Sequence, residues 1–285
     1  MQKIWVCGAR GQIGQAVNDV VDKLEFEMLD TDVDDLDVTD TDEVLRFGEM
    51  NRPDIIINCS GMTDISSCEE NPSQAFKVNA LGARNLAIVA AKMQAKMVQL
   101  STDDVFDGKS TEPYTEFDLV NPGTVYGKSK LAGENYVKEF TTKHFIVRST
   151  WVYGKGQNFI SDFLKKVDAG EQLSIASDQF GSPTSANELA RFLLHLVHTS
   201  EYGTYHATNK GVCSRYAFAQ EILKMTGKTA SMQPVPTVMS DFSKVRPAYA
   251  VLDNFIMSMV PIYDFPDWQD SLREYLEERG LYHAE

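Results

Sequence analysis

The chain opens with "KIWVCGARGQIGQAVNDVV", a strand-like run of five residues that breaks into glycines and resumes as an amphipathic segment. The glycines are Gly8, Gly11 and Gly14, in the spacing G-x-x-G-x-x-G. Glycine lets a backbone turn tightly and come close to a pyrophosphate, whose charge then faces the N-terminus of the next helix. The spacing alone is common to many tight turns. Between a strand and a helix at the head of an alternating chain, it points to dinucleotide binding.

The alternation continues. Strand-like runs at 3–7, 26–29, 54–59, 97–101 and 144–149 are separated by helical patterns at 12–24, 40–50 and 73–93 and by a helix carrying Tyr126 and Lys130. Such alternation predicts an α/β fold, a Rossmann-type doubly wound parallel sheet with ligands at the carboxyl ends of its strands. Beyond residue 150 the pattern loosens. Helices are expected at 158–170, 187–199 and 215–227, strands at 172–176 and 203–208, and a turn at 181–184. The expected organisation is a dinucleotide-binding domain over 1–150 with a return segment at about 187–212. Residues 151–186 and 213–285 would form a smaller substrate-binding lobe.

Composition excludes several classes. A net charge of −14 opposes nucleic acid and anionic membranes, although local amides and a cation can still hold a phosphate. Cys7, Cys59, Cys68 and Cys213 form no C-x-x-C pair, and no run of about 18 apolar residues suggests a membrane span. The expectation is a cytoplasmic protein with a small-molecule partner. His195 and His198 have no metal-ligand pattern around them, so no metal site is assigned. The acidic stretch 30–43 fails as a calcium loop, because its sixth and twelfth positions are Asp35 and Thr41.

Two stretches carry chemistry. "TVYGKSKLAGENY" (124–136) follows an Asn-Pro-Gly turn and sets Tyr126 and Lys130 four apart, on one helix face. A fixed ammonium favours phenolate, so Tyr126 would exchange protons nearer neutrality. "QLSTDDVFDG" (99–108) places Ser101, Thr102, Asp103 and Asp104 at a strand's carboxyl end, where a hydroxyl would orient a carbonyl that Tyr126 protonates. Asp30, at the end of the second strand, suits a ribose diol and hence NAD, whereas Arg10 in the glycine loop suits the 2′-phosphate of NADP. The residues leave NADH and NADPH both open.

These motifs, with "RPDIIINC", "VNALGARNLA", "RSTWVYG", "DQFGSPT", "GTYHAT" and "RPAYAVLDN", resemble the extended short-chain dehydrogenase/reductases, and among them the dTDP-4-dehydrorhamnose reductases, over nearly the whole chain. The resemblance implies NAD(P)H-dependent reduction of the 4-keto group of a nucleotide-linked 6-deoxyhexose. Gly11, Gln12 and Ile13 would cradle the pyrophosphate, Asp37 and Val38 would meet the adenosine, and Gly61, Met62, Thr63 and Leu100 would line the nicotinamide side. Thr102 and Tyr126 would bind the keto oxygen, and Lys130 would hold the nicotinamide ribose. Thr102, Asp103 and Trp151 would contact the sugar nucleotide. Some relatives dimerise through magnesium, so a homodimer with Mg2+ at the contact is allowed, without located ligands.

Two positions depart from the family: Asp104 stands where an aromatic is usual, and Ser66 where Asp is usual. An acid at 104 opens a second reading, a 4,6-dehydratase or epimerase-type reaction using Asp103-Asp104. A third is a non-catalytic NADP-binding subunit resembling the methionine adenosyltransferase beta subunit.

Overall fold

The computed structural model describes residues 1–239 and 247–283. Arg246, the first residue of "RPAYAVLDN", lies outside them. The frame is a six-stranded parallel sheet: β1 (Gln2–Cys7), β2 (Phe26–Thr31), β3 (Ile55–Asn58), β4 (Lys96–Thr102), β5 (His144–Ser149) and β6 (Gly203–His206), in the order β2-β1-β3-β4-β5-β6. The chain leaves β1 for β2 on one side and returns to β3 on the other. That reversal opens a crevice at the carboxyl ends of β1 and β3.

Both faces of the sheet are covered, which is why its strands read as unbroken apolar runs. Ile4, Val6, Ile57, Val98, Leu100 and Val147 pack with helices Gln12–Val20 and Ala186–Val197. The alternate residues Trp5, Cys7, Ile56, Met97 and Ile146 pack on the other side, with helix Ala83–Met93 and Val137 of helix Val125–Phe140. A further apolar cluster joins helices Phe159–Asp168, Arg215–Thr226 and Trp268–Glu277 around Phe163, Phe218 and Leu272. Beside it, strands Leu173–Ala176 and Met232–Val235 pair in parallel.

The helix expected across 73–93 is interrupted. Pro72–Phe76 is α-helical, Lys77–Gly82 is a π turn, and Ala83–Met93 resumes the α form. The widened turn lets the buried Asn79 side chain accept the Met62 N–H at 2.8 Å and donate to the Met62 carbonyl and to Ser129 Oγ, at 2.9 and 2.8 Å. These bonds to distant elements accompany a break that no propensity predicts. The first helix stops at Val20 rather than residue 24.

The acidic stretch becomes a chain of backbone caps. Asp32, Asp37 and Asp40 accept the N–H groups of Val33, Thr39 and Asp42, and Asp40 also starts helix Thr41–Asn51. Among the described residues, no group of three or more His, Cys, Asp or Glu side chains is placed to hold a metal ion, and no helix is long and apolar enough to cross a membrane.

Candidate active site

β1 delivers the chain to Gly8, whose φ of +76° is a left-handed conformation. A Cβ there would stand 2.7 Å from the Ser60 nitrogen, and one on Gly14 only 2.3 Å from the Gly8 carbonyl oxygen. No side chain fits either position, so the glycines allow helix Gln12–Val20 to start hard against the strand. Its N-cap, Gly11, offers no side-chain acceptor to the first turn. The helix therefore presents its N-terminal amides to an anion.

Those amides open on a cleft of about 800 Å3. Gly11, Gln12 and Ile13, Leu100, Thr102, Tyr126 and Lys130, and Trp151, Phe159 and Arg215 all line it. Thr124 begins the helix that carries Tyr126 and Lys130, its Oγ1 accepting the Gly127 N–H at 2.9 Å. Gly127 lies so close to the turn after β4 that a Cβ would stand 2.0 Å from the Asp104 carbonyl oxygen. This contact seats the first turn of the helix on the turn that follows Thr102.

Lys130 is buried and its pKa is pushed down to about 8. Burial lowers it most, while the charge of Glu134 raises it. The ammonium is thus the main form below that pH. Cys59 also lines the cleft, but burial pushes its thiol up to about 12, so it stays neutral. The Thr102 hydroxyl donates to Asp103 Oδ1 at 3.0 Å and accepts the Asp104 N–H at 3.2 Å. Having one proton, it must turn from Asp103 to donate to a substrate oxygen.

The other expected residues divide by place. Gly61 and Thr63 line the cleft, whereas Met62 packs beneath Tyr126. Asp103 faces the cleft. Asp104 does not line it: its carboxylate is buried beneath, with Oδ2 3.4 Å from Thr102 Oγ1. Asp104, expected from the sequence to contact the sugar, is thus set apart from the lining residues. Asp30 and Arg10 border a separate hollow of about 580 Å3. There the Arg10 guanidinium is engaged by Asp34 and Asp35, each at 2.8 Å. Asp37 and Val38 border neither space; Val38 is buried, close against Gly82.

Sequence reasoning missed several residues. Asn79 secures the loop that carries Gly61. Arg215 lays its guanidinium 3.5 Å from the centre of the Trp151 ring and 4.7 Å from that of Phe159. Trp151 itself has a φ of +47°. Gln12 crosses the cleft, donating to the Gln157 carbonyl at 3.1 Å. An asparagine within an apolar helical run was a signal for Asn79; nothing local marked Arg215.

The glycine cradle and the buried Tyr-x-x-x-Lys pair define a nucleotide-binding α/β protein equipped for proton transfer. The chain belongs to the family described as the RmlD substrate binding domain, whose model matches residues 1–280. It is 35% identical to the spore coat polysaccharide biosynthesis protein SpsK of Bacillus subtilis, over 98% of this chain and 99% of that one. A crystal structure of a dTDP-4-dehydrorhamnose reductase from Clostridium acetobutylicum is 40% identical and superposes with a TM-score of 0.95, covering 98% of this chain and 100% of that one. The dTDP-4-dehydrorhamnose reductase of Bacillus anthracis, solved in complex with NADP, is 35% identical with a TM-score of 0.93, covering 98% and 99%.

Proposed function

We propose that this chain is an NAD(P)H-dependent reductase of the 4-keto group of a dTDP-linked 6-deoxyhexose, converting dTDP-4-dehydro-L-rhamnose to dTDP-L-rhamnose. The observation that carries the reading is that Thr102, Tyr126 and Lys130 share one cleft with a pyrophosphate cradle and an aromatic–guanidinium wall. The names of the similar proteins supply the substrate class.

The glycine loop and the amides of helix Gln12–Val20 fit the pyrophosphate of a nicotinamide dinucleotide, which supplies the hydride when bound. Gly61, Thr63 and Leu100 would border its nicotinamide half. Tyr126 gives its phenolic proton to the oxygen of the carbonyl as that oxygen becomes an alkoxide. Lys130 stabilises the resulting phenolate. The Thr102 hydroxyl, turned from Asp103, steadies the same oxygen; such a donor is most effective in a dry, preorganised site. Trp151, Phe159 and Arg215 receive the nucleotide diphosphate end, in keeping with a substrate-binding role for the segments that carry them. The reading places the enzyme in the cytoplasm with its nucleotide sugar as partner.

An elimination would require Asp104 to reach the sugar, and its burial beneath Thr102 disfavours that alternative. The test is isotopic. With a nicotinamide cofactor deuterated on its reactive carbon, the product hexose should carry one deuterium at the former keto carbon. Loss of water without net cofactor oxidation would overturn the assignment.

A further inference from the structure

Tyr126, Lys130 and Glu134 follow one another at intervals of four and share one face of helix Val125–Phe140. The third has no part in the reaction as described, yet it is the most deeply buried of the three. Glu134 Oε1 accepts Ser101 Oγ–H at 2.6 Å and Arg148 Nε–H at 2.9 Å, and its Oε2 accepts Arg148 Nη2–H at 2.7 Å. Ser101 and Arg148 are direct partners across β4 and β5. The next pair in register is Thr102 and Ser149, and both of these line the cleft. One carboxylate thus ties the catalytic helix to two strands, at the rung next to Thr102 and Ser149.

We propose that Glu134 is a positioning residue for the reduction, which holds the Tyr126–Lys130 helix against the strand bearing Thr102 and sets a buried carboxylate one helical turn from Lys130. The inference rests on the reductase reading for its kinetic consequence only.

The surrounding charges are consistent with that role. Burial is the largest influence on the Glu134 carboxyl and would raise its pKa. Arg148, Ser101 and Lys138 together outweigh it, so the pKa is lowered and the group is ionised at neutral pH. Lys138, one turn further, reaches Oε2 at 3.8 Å from a more exposed position. From β6, His206 is held neutral by burial and by Arg148, its pKa pushed down to about 3. Just after β3, the neutral Cys59 thiol lines the same cleft as Lys130. The other ionisable groups packed against the helix include Asp103 and Asp104 after β4, Arg84 against Phe140, and Glu69, which accepts the Val125 N–H at 2.8 Å.

The test is the pH profile of kcat in Glu134→Gln, which keeps the shape and most hydrogen bonds but removes the charge. The wild-type profile should fall on the alkaline side as Lys130 deprotonates, and in E134Q that limb should move to lower pH by about one unit, the scale of a neighbouring charge. E134Q strands the Arg148 charge, so the double variant E134Q/R148M, which leaves neither charge behind, carries the test if the single one does not fold. Its limb should also move down, by less. A folded variant whose kcat falls equally at every pH, with the limb unmoved, would overturn the proposal. The titration of Lys130, followed by carbon NMR of labelled lysine and assigned with Lys130→Met, reads the same shift without turnover. If the wild type does not reduce the keto sugar, the function fails, while this titration still decides the role of Glu134.

Discussion

Two arginine–carboxylate contacts, one buried against the strands of the cleft and one at the separate hollow beside the glycine loop, have the same chemistry and nearly the same lengths. Arg148 meets Glu134 at 2.9 and 2.7 Å; Arg10 meets Asp34 and Asp35 at 2.8 Å each. Their surroundings differ. The side chains of Arg148 and Glu134 are 4% and 0% exposed, those of Arg10 and Asp34 57% and 79%. In water an ion pair gains little, because solvent screens it and two long side chains must be held still. Under the catalytic floor the same pair has no solvent to replace a lost partner. Geometry alone would rank the two contacts equally, and burial separates them. It follows that the Arg10 contact can exchange its carboxylates for a ligand phosphate at small cost, whereas the Arg148 contact is fixed.

The comparison can be broken by removing one partner from each contact. Glu134→Ala leaves Arg148 buried and unpaired and should cost about 3–5 kcal/mol in urea unfolding at neutral pH. Acid should act on the same bond. Because the folded-state pKa of Glu134 lies below its ordinary value of 4.5, its stabilising contribution is present above that value and is lost as pH falls through the folded pKa. Wild type should therefore lose its advantage over E134A on acidification, as unfolding curves at stepped pH would show. Arg10→Ala should cost less than about 1 kcal/mol, a loss that shrinks further in high salt. Equal costs at the two contacts would mean that burial is not what distinguishes them.

The parts that were legible in the sequence are those set by backbone rules. Alternating apolar runs gave away the parallel sheet, the glycine spacing its first turn, and the interval from Tyr126 to Lys130 the face of a helix. Contacts between distant elements were not legible. The π turn at Lys77–Gly82 accompanies bonds from Asn79 to Met62 and Ser129, neither of which is near it in sequence. Arg215 joins Trp151 only when two segments fold together. A signal for the buried pair did exist. Arg148 sits inside the apolar strand "HFIVRS", where a charge needs a partner, and Glu134 lies one turn beyond Lys130 on the buried face. The Asp104 carboxylate is a different case. Adjacent acids after Ser-Thr suggested chemistry, but the turn directs one into the cleft and the other beneath it.

The central claim is that Tyr126, set between Lys130 and Thr102, is the proton donor of a keto-sugar reduction. The most direct measurement follows cofactor oxidation with dTDP-4-dehydro-L-rhamnose in wild type and Tyr126→Phe, with cofactor binding measured in both. The account predicts oxidation by wild type that depends on the sugar, and a loss of roughly 100-fold or more in the variant with binding intact. A variant that binds cofactor and turns over at nearly the wild-type rate would contradict it.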